Sequence, residues 1–105
     1  MIARVWTARA ARRHAVDYRQ HLRDRVLPLL DRVPGYHGAQ LLERLDGDYV
    51  DVIVLTWWRS IDDVRLFAGP DVERAVVTDE AAALLDRFDR TVRHFDVTVD
   101  VPPSE

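Results

Sequence analysis

Ile2 to Ala8 carries Val5, Trp6 and Thr7, residue types suited to a pleated surface, and predicts a first strand. From Ala11 the apolar positions recur at steps of three and four, through Ala15, Tyr18, Leu22, Val26 and Leu29. Arg12, Asp17, Arg19, Arg23 and Asp24 fill the opposite side. That is the period of an amphipathic helix. Pro28 has no N–H to donate and disfavours helix at the residue before it, so a kink or break is expected near Leu27. The helix should finish before Pro34-Gly35.

Tyr36–Leu45 and Tyr49–Arg59 flank Asp46-Gly47-Asp48, where Asp-Gly supplies the backbone freedom a tight hairpin needs. Ser60 offers a cap oxygen with Asp63 three residues on, and Ile61, Val64, Phe67 and Ala68 have helical period. Gly69 suits a helix stop and Pro70 the first position of a new helix, with Asp71 and Glu73 near its positive end. The second helical region is therefore expected in three pieces, Ser60–Ala68, Asp71–Val76 and Asp79–Phe88. Thr91 to Val101 then alternates as a closing strand, and 102–105 is a tail.

Strand, helix, hairpin, broken helix and strand give one α+β domain over 1–101. Its expected plan is a ferredoxin-like βαββαβ arrangement with a four-stranded antiparallel sheet and helices on one face. Val50, Val52 and Val54 would lie on one face of the third strand and Ile53, Leu55 and Trp57 on the other, so both faces are apolar. One helical layer cannot bury both. A second copy packed sheet to sheet would, which predicts a homodimer with an interface of about 1,600 Å² or more.

Composition narrows the function more than the fold. Hydrophobic residues make up 48% and charged residues 31% of the 105, a globular balance. The charge of −3 is interspersed, with no basic stripe for a phosphate backbone, so nucleic acid is not an expected partner. Apolar runs fall far short of a membrane span, and Met1-Ile2-Ala3-Arg4 opens no signal-peptide core, so no membrane association and a cytoplasmic location are expected. Cysteine, lysine and asparagine are absent, which removes disulfides, thiolate and Schiff-base chemistry, and asparagine oxyanion donors.

The order Leu55-Thr56-Trp57-Trp58-Arg59-Ser60, then Phe67-Ala68-Gly69-Pro70-Asp71-Val72-Glu73-Arg74-Ala75, then Val92-Arg93-His94-Phe95-Asp96-Val97 resembles the antibiotic-biosynthesis monooxygenase family of dimeric α+β barrels. The resemblance runs from Ile2 to Val101. It implies a dimer with a ligand cleft between helices and sheet in each subunit, and a cofactor-independent monooxygenase acting on a small aromatic, polyketide-like molecule. A non-catalytic or stress-related small-ligand binder is the alternative. The haem-degrading branch of that family uses a first-strand asparagine, a tryptophan and a histidine; here asparagine is missing, and Phe67 and Val77 fall at the other two positions. Haem degradation by that scheme is not expected, and no cofactor is assigned.

Within this resemblance Trp6, Trp58, Phe67, Arg4 and Tyr36 are the candidate substrate-binding residues, and His94 and His37 the candidate proton acceptors. Trp57 and Trp58 point to opposite sheet faces, with Trp58 assigned to the cleft and Trp57 to the dimer side. Arg4 in a central strand needs a partner, either a carboxylate such as Asp96 or Asp100, the preferred reading, or an anionic ligand. No metal site is expected, because His14 and His21 stand seven residues apart on one helix, about 10 Å along its axis.

Overall fold

The computed structural model describes residues 1–104; of the expected tail 102–105, Glu105 lies outside the described residues. The first strand, β1, runs Ile2–Ala11, three residues beyond the expected end, because its far end pairs in full with the hairpin. Helix α1 follows over Arg12–His21, and a π-helical turn occupies Leu22–Val26 before the short helix α2 at Leu27–Leu30. The expected break near Leu27 therefore takes a definite form. In a regular α-helix the Pro28 ring would collide with the Asp24 carbonyl. Widening the turn, so that Leu27 N–H bonds back to Leu22 O, keeps the chain helical past the proline.

The hairpin strands are β2, Tyr36–Asp46, and β3, Tyr49–Trp58, joined by Gly47-Asp48. Gly47 takes φ of +60° and, among the described residues, only glycines have positive φ, the pattern of a two-residue turn with glycine at its first position. Helix α3, Ile61–Ala68, starts where Ser60 Oγ accepts from Asp63 N–H. Asp63 in turn accepts a two-pronged bond from Arg59, at 2.9 and 3.0 Å. Gly35 (φ +86°) leaves room for that carboxylate, since a Cβ there would overlap it.

Beyond Gly69 three expectations are corrected. Asp71–Val76 is not helical; its backbone turns and forms a bridge from Arg74 to Thr91. Helix α4 covers only Asp79–Ala83, capped by Thr78, because Asp86 N–H then bonds Arg9 O and draws the chain into β4, Arg87–Phe88. The closing strand, β5, is limited to Arg93–Asp96. All strands are antiparallel, in the order β2-β3-β1-β4, with β5 pairing the same edge of β1 nearer its start. The fourth position of the ferredoxin-like sheet is thus shared by two short strands.

The helices lie on one face. Trp6, Ala8, Val50, Val52 and Val54 bury against Tyr18, Leu22 and Ala81, while Trp58, Val64 and Leu30 form a second cluster near the start of α3. The other face is uncovered. Val5, Leu42, Ile53, Leu55, Trp57 and Phe95 share it by register, with Ile53 37% and Phe95 49% exposed. Among the described residues no helix is long and apolar enough to cross a membrane.

Candidate ligand cavity

Burying one face of the sheet under a helix that swerves at a π-turn leaves a gap, and the molecule keeps it as a cavity of about 350 Å³. Its floor is β1 and β3, through Arg4, Trp6, Val54 and Thr56. One wall is α1 and its continuation, with Tyr18, His21, Leu22, Arg25 and Val26, and the others are Phe67, Val92 and the stretch from Val76 to Ala81. The lining is mainly apolar and aromatic, the usual character of a small-molecule site. The π-turn supplies three of the wall residues, Leu22, Arg25 and Val26.

Of the residues singled out from sequence, Arg4, Trp6 and Phe67 line this cavity. Trp6 is anchored by a 2.7 Å bond from its Nε1 to Asp89 O, and its ring leans on Tyr18 and Phe88. Trp58 is fully buried one layer back. Its ring stacks on Phe67 at 5.8 Å and meets Tyr36 edge-on, and its Nε1 donates to Thr56 Oγ1 at 2.8 Å. Trp58 and Tyr36 therefore support the lining without forming it. His37 is exposed at the β-bulge between Tyr36 and Gly38, also outside the cavity lining.

Arg4 has the least ordinary surroundings in the molecule. It is only 5% exposed, and among the described residues its partners are carbonyls and a histidine rather than the expected carboxylate. Asp96 falls opposite Ile2 in the β1–β5 register, while His94 falls opposite Arg4. Arg4 Nη1 donates to Val72 O at 2.6 Å and to His94 Nε2 at 3.0 Å, and Nη2 donates to Arg74 O at 3.0 Å. A guanidinium cannot accept, so His94 Nε2 must, which fixes that ring as neutral with its proton on Nδ1. Burial first, and then the Arg4 charge, hold the His94 pKa below its ordinary value, with Glu73 opposing. Burial also pulls Arg4 down to about 10, so it stays charged at neutral pH. His94 thus orients Arg4 and does not itself line the cavity.

Three wall groups had escaped sequence reasoning. Tyr18 is buried and burial pushes its phenol pKa up. His21 Nδ1 stands 3.6 Å from Glu80 Oε2, and its Nε2 3.5 Å from Thr78 Oγ1. Thr56, opposite Arg4 in the β1–β3 register, also lines the cavity. Tyr18 sits within the helical period, indistinguishable there from a packing residue, and His21 enters the sequence reading only as a metal-ligand candidate; the approach of the 76–81 segment gives His21 its partners.

The same fold occurs in solved structures of low sequence identity. One is a monooxygenase from the gene ActVA-Orf6 of Streptomyces coelicolor in complex with nanaomycin D. It is 15% identical, with a TM-score of 0.69, covering 98% of this chain and 92% of that one. Another is a mutant of MhuD with two manganese protoporphyrin IX molecules bound per active site. It is 18% identical, with a TM-score of 0.65, covering 98% and 100%. No curated protein sequence matches. The antibiotic biosynthesis monooxygenase family does match, over residues 1–75, which takes in β1 through the Arg4-binding carbonyls of Val72 and Arg74. With sheet, helices and cleft arranged as described, the chain belongs to the antibiotic biosynthesis monooxygenase family.

Proposed function

We propose that the protein is a cofactor-independent monooxygenase that oxidises a small polycyclic phenol held in the cavity between the helices and the sheet. The observation that carries this reading is the cavity itself: about 350 Å³, walled by Trp6, Tyr18 and Phe67, with few polar groups, in a chain of a monooxygenase family. A flat aromatic guest would stack on such walls and leave its bulk water behind. In this reading the guest supplies the electrons. An anthrone-type substrate loses a proton to become an electron-rich phenolate, which reduces oxygen. One oxygen atom becomes a ring carbonyl, and the other leaves as water with the two methylene hydrogens.

His21 is the proton acceptor in this scheme. It is the only histidine lining the cavity among the described residues, and Glu80 Oε2 stands 3.6 Å from its Nδ1. Haem fits the site poorly. His21, the wall histidine, is flanked on both ring nitrogens by Glu80 and Thr78, and Phe67 and Val77 occupy the wall as plain apolar groups. No step is therefore routed through haem.

A sheet-to-sheet homodimer belongs to the same reading. Ile53, Leu55, Trp57 and Phe95 form an apolar centre on the uncovered face, which a second copy would bury. The function is tested by adding an anthrone-type phenol and following oxygen uptake. One oxygen molecule consumed per carbonyl formed, with a loss of about a hundredfold or more in His21→Gln, is expected. Binding without uptake would make the protein a small-ligand binder instead.

A further inference from the structure

A cation buried this deeply is ordinarily matched by a carboxylate, because removing it from water is costly. Arg4 is not. Phe67 lies over the guanidinium at 5.7 Å, and the polar partners are two backbone carbonyls and a neutral imidazole. A guanidinium has five N–H donors. Three are used here, so five less three leaves two, and Nε–H is one of them.

Among the described residues, no buried side-chain nitrogen or oxygen lacks a partner. Arg4 Nε has none, so that atom must reach open space, and the space bordered by Arg4 is the cavity. Thr56 Oγ1, beside it on β3, receives Trp58 Nε1–H and keeps its own hydroxyl proton to donate. Carbonyls of Val72 and Arg74 hold the guanidinium from behind and His94 from the side. The fork is therefore fixed in place, with Nε–H left free at the border of the cavity.

We propose that Arg4 is the seat for an anionic oxygen on the cavity's ligand, so that the ligand class is an aromatic acid, bound through a carboxylate or a phenolate oxygen, with its ring on Phe67 and Trp6. This rests on the reading of the cavity as an aromatic-ligand site and adds the charge of the ligand and the atom that receives it. Arg4 sets specificity: an uncharged ring of the same shape leaves the guanidinium without its counter-charge, and loses the charge-assisted bonds that an acid makes.

The experiment compares naphthoate, naphthamide and naphthol of one ring position, by calorimetry at neutral pH, with a nitrogen-15 spectrum of the Arg4 Nε–H in the wild-type protein. Naphthoate should bind about tenfold tighter than naphthamide. The Nε–H resonance should move with naphthoate and stay with naphthamide. Arg4→Gln should bring the two affinities within about twofold, and the wild-type spectrum decides the matter should that variant fail to fold. Naphthol whose absorption shifts to that of its anion on binding identifies phenolate as the natural group, and naphthol that stays neutral beside a preferred naphthoate identifies carboxylate. Equal binding of naphthoate and naphthamide, or an unmoved Nε–H, overturns the anion seat while leaving the aromatic cavity intact. No binding by any of the three overturns both.

Discussion

Trp57 and Trp58 are the same residue type, adjacent in sequence, and the sheet sends them to opposite environments. Trp58 is 0% exposed, locked between Phe67 and Tyr36 with its N–H satisfied by Thr56. Trp57 lies on the uncovered face, where its N–H finds only Gln40 on the neighbouring strand. The difference is repeated along β3: Val50, Val52, Val54 and Thr56 are buried under helices, while Tyr49, Ile53 and Leu55 are not. One face is finished within a single chain and organised around a cavity. The other is apolar with nothing on it, and in our reading is completed by a second chain.

The contrast is sharpest in mutation. Trp58→Ala should cost about 3–5 kcal/mol of folding stability, read by chemical denaturation, because it empties a site that cannot collapse without moving α3. Trp57→Ala should leave the stability of the isolated chain within about 1 kcal/mol. Comparable losses for the two would break the distinction between the faces.

Association comes next. Ile53→Glu places a charge at the centre of the uncovered face, where Ile53 is 37% exposed in the single chain. It should convert a two-chain species to one chain in light scattering, while the far-ultraviolet circular dichroism stays the same. A wild-type protein that is already a single chain at micromolar concentration would remove the dimer.

The smallest effect belongs to His94, on the finished face. Its pKa is lowered in the folded protein by burial and by Arg4, so the unfolded chain binds the extra proton first. The stability it contributes is fully present above about pH 6.5 and is lost as pH falls toward and through the lower folded value. A plot of stability against pH should therefore slope down on acidification in the wild type and be flatter in His94→Gln. An identical slope in both would place the acid sensitivity elsewhere.

Much of the finished face could be read from spacing, because it depends on local rules. The 3.6 period from Ala15 to Val26, the Asp46-Gly47 turn and the Ser60 cap each act over a few residues. The last third could not, for the opposite reason. Asp71–Val76 has good helix-start chemistry, but its carbonyls are held by Arg4, 68 and 70 residues away, and Arg74 bridges to Thr91. The run after Ala83 leaves its helix because β1 offers pairing through Arg9 O. Distant partners also decided the site. Arg4 was visible as a cation needing company, but its company turned out to be carbonyls and His94, and His21 gained meaning only when Thr78 and Glu80 came alongside.

The π-turn at Leu22–Val26 carries a consequence for how such a cavity changes over generations. An α-helix advances about 100° per residue, so the surplus residue in this wide turn rotates everything that follows it by about that angle. Deleting one residue there, with Pro28 also replaced so that no ring meets a carbonyl, would draw the turn back to an α-helix and swing the cavity residues Arg25, Val26 and Leu27 to new bearings, while β1 and β3 carry none of the change. Insertions and deletions in this single turn thus remodel the ceiling of the cavity independently of its floor. A lineage can drift toward larger or smaller guests by changing this one turn and its proline, with the sheet left untouched.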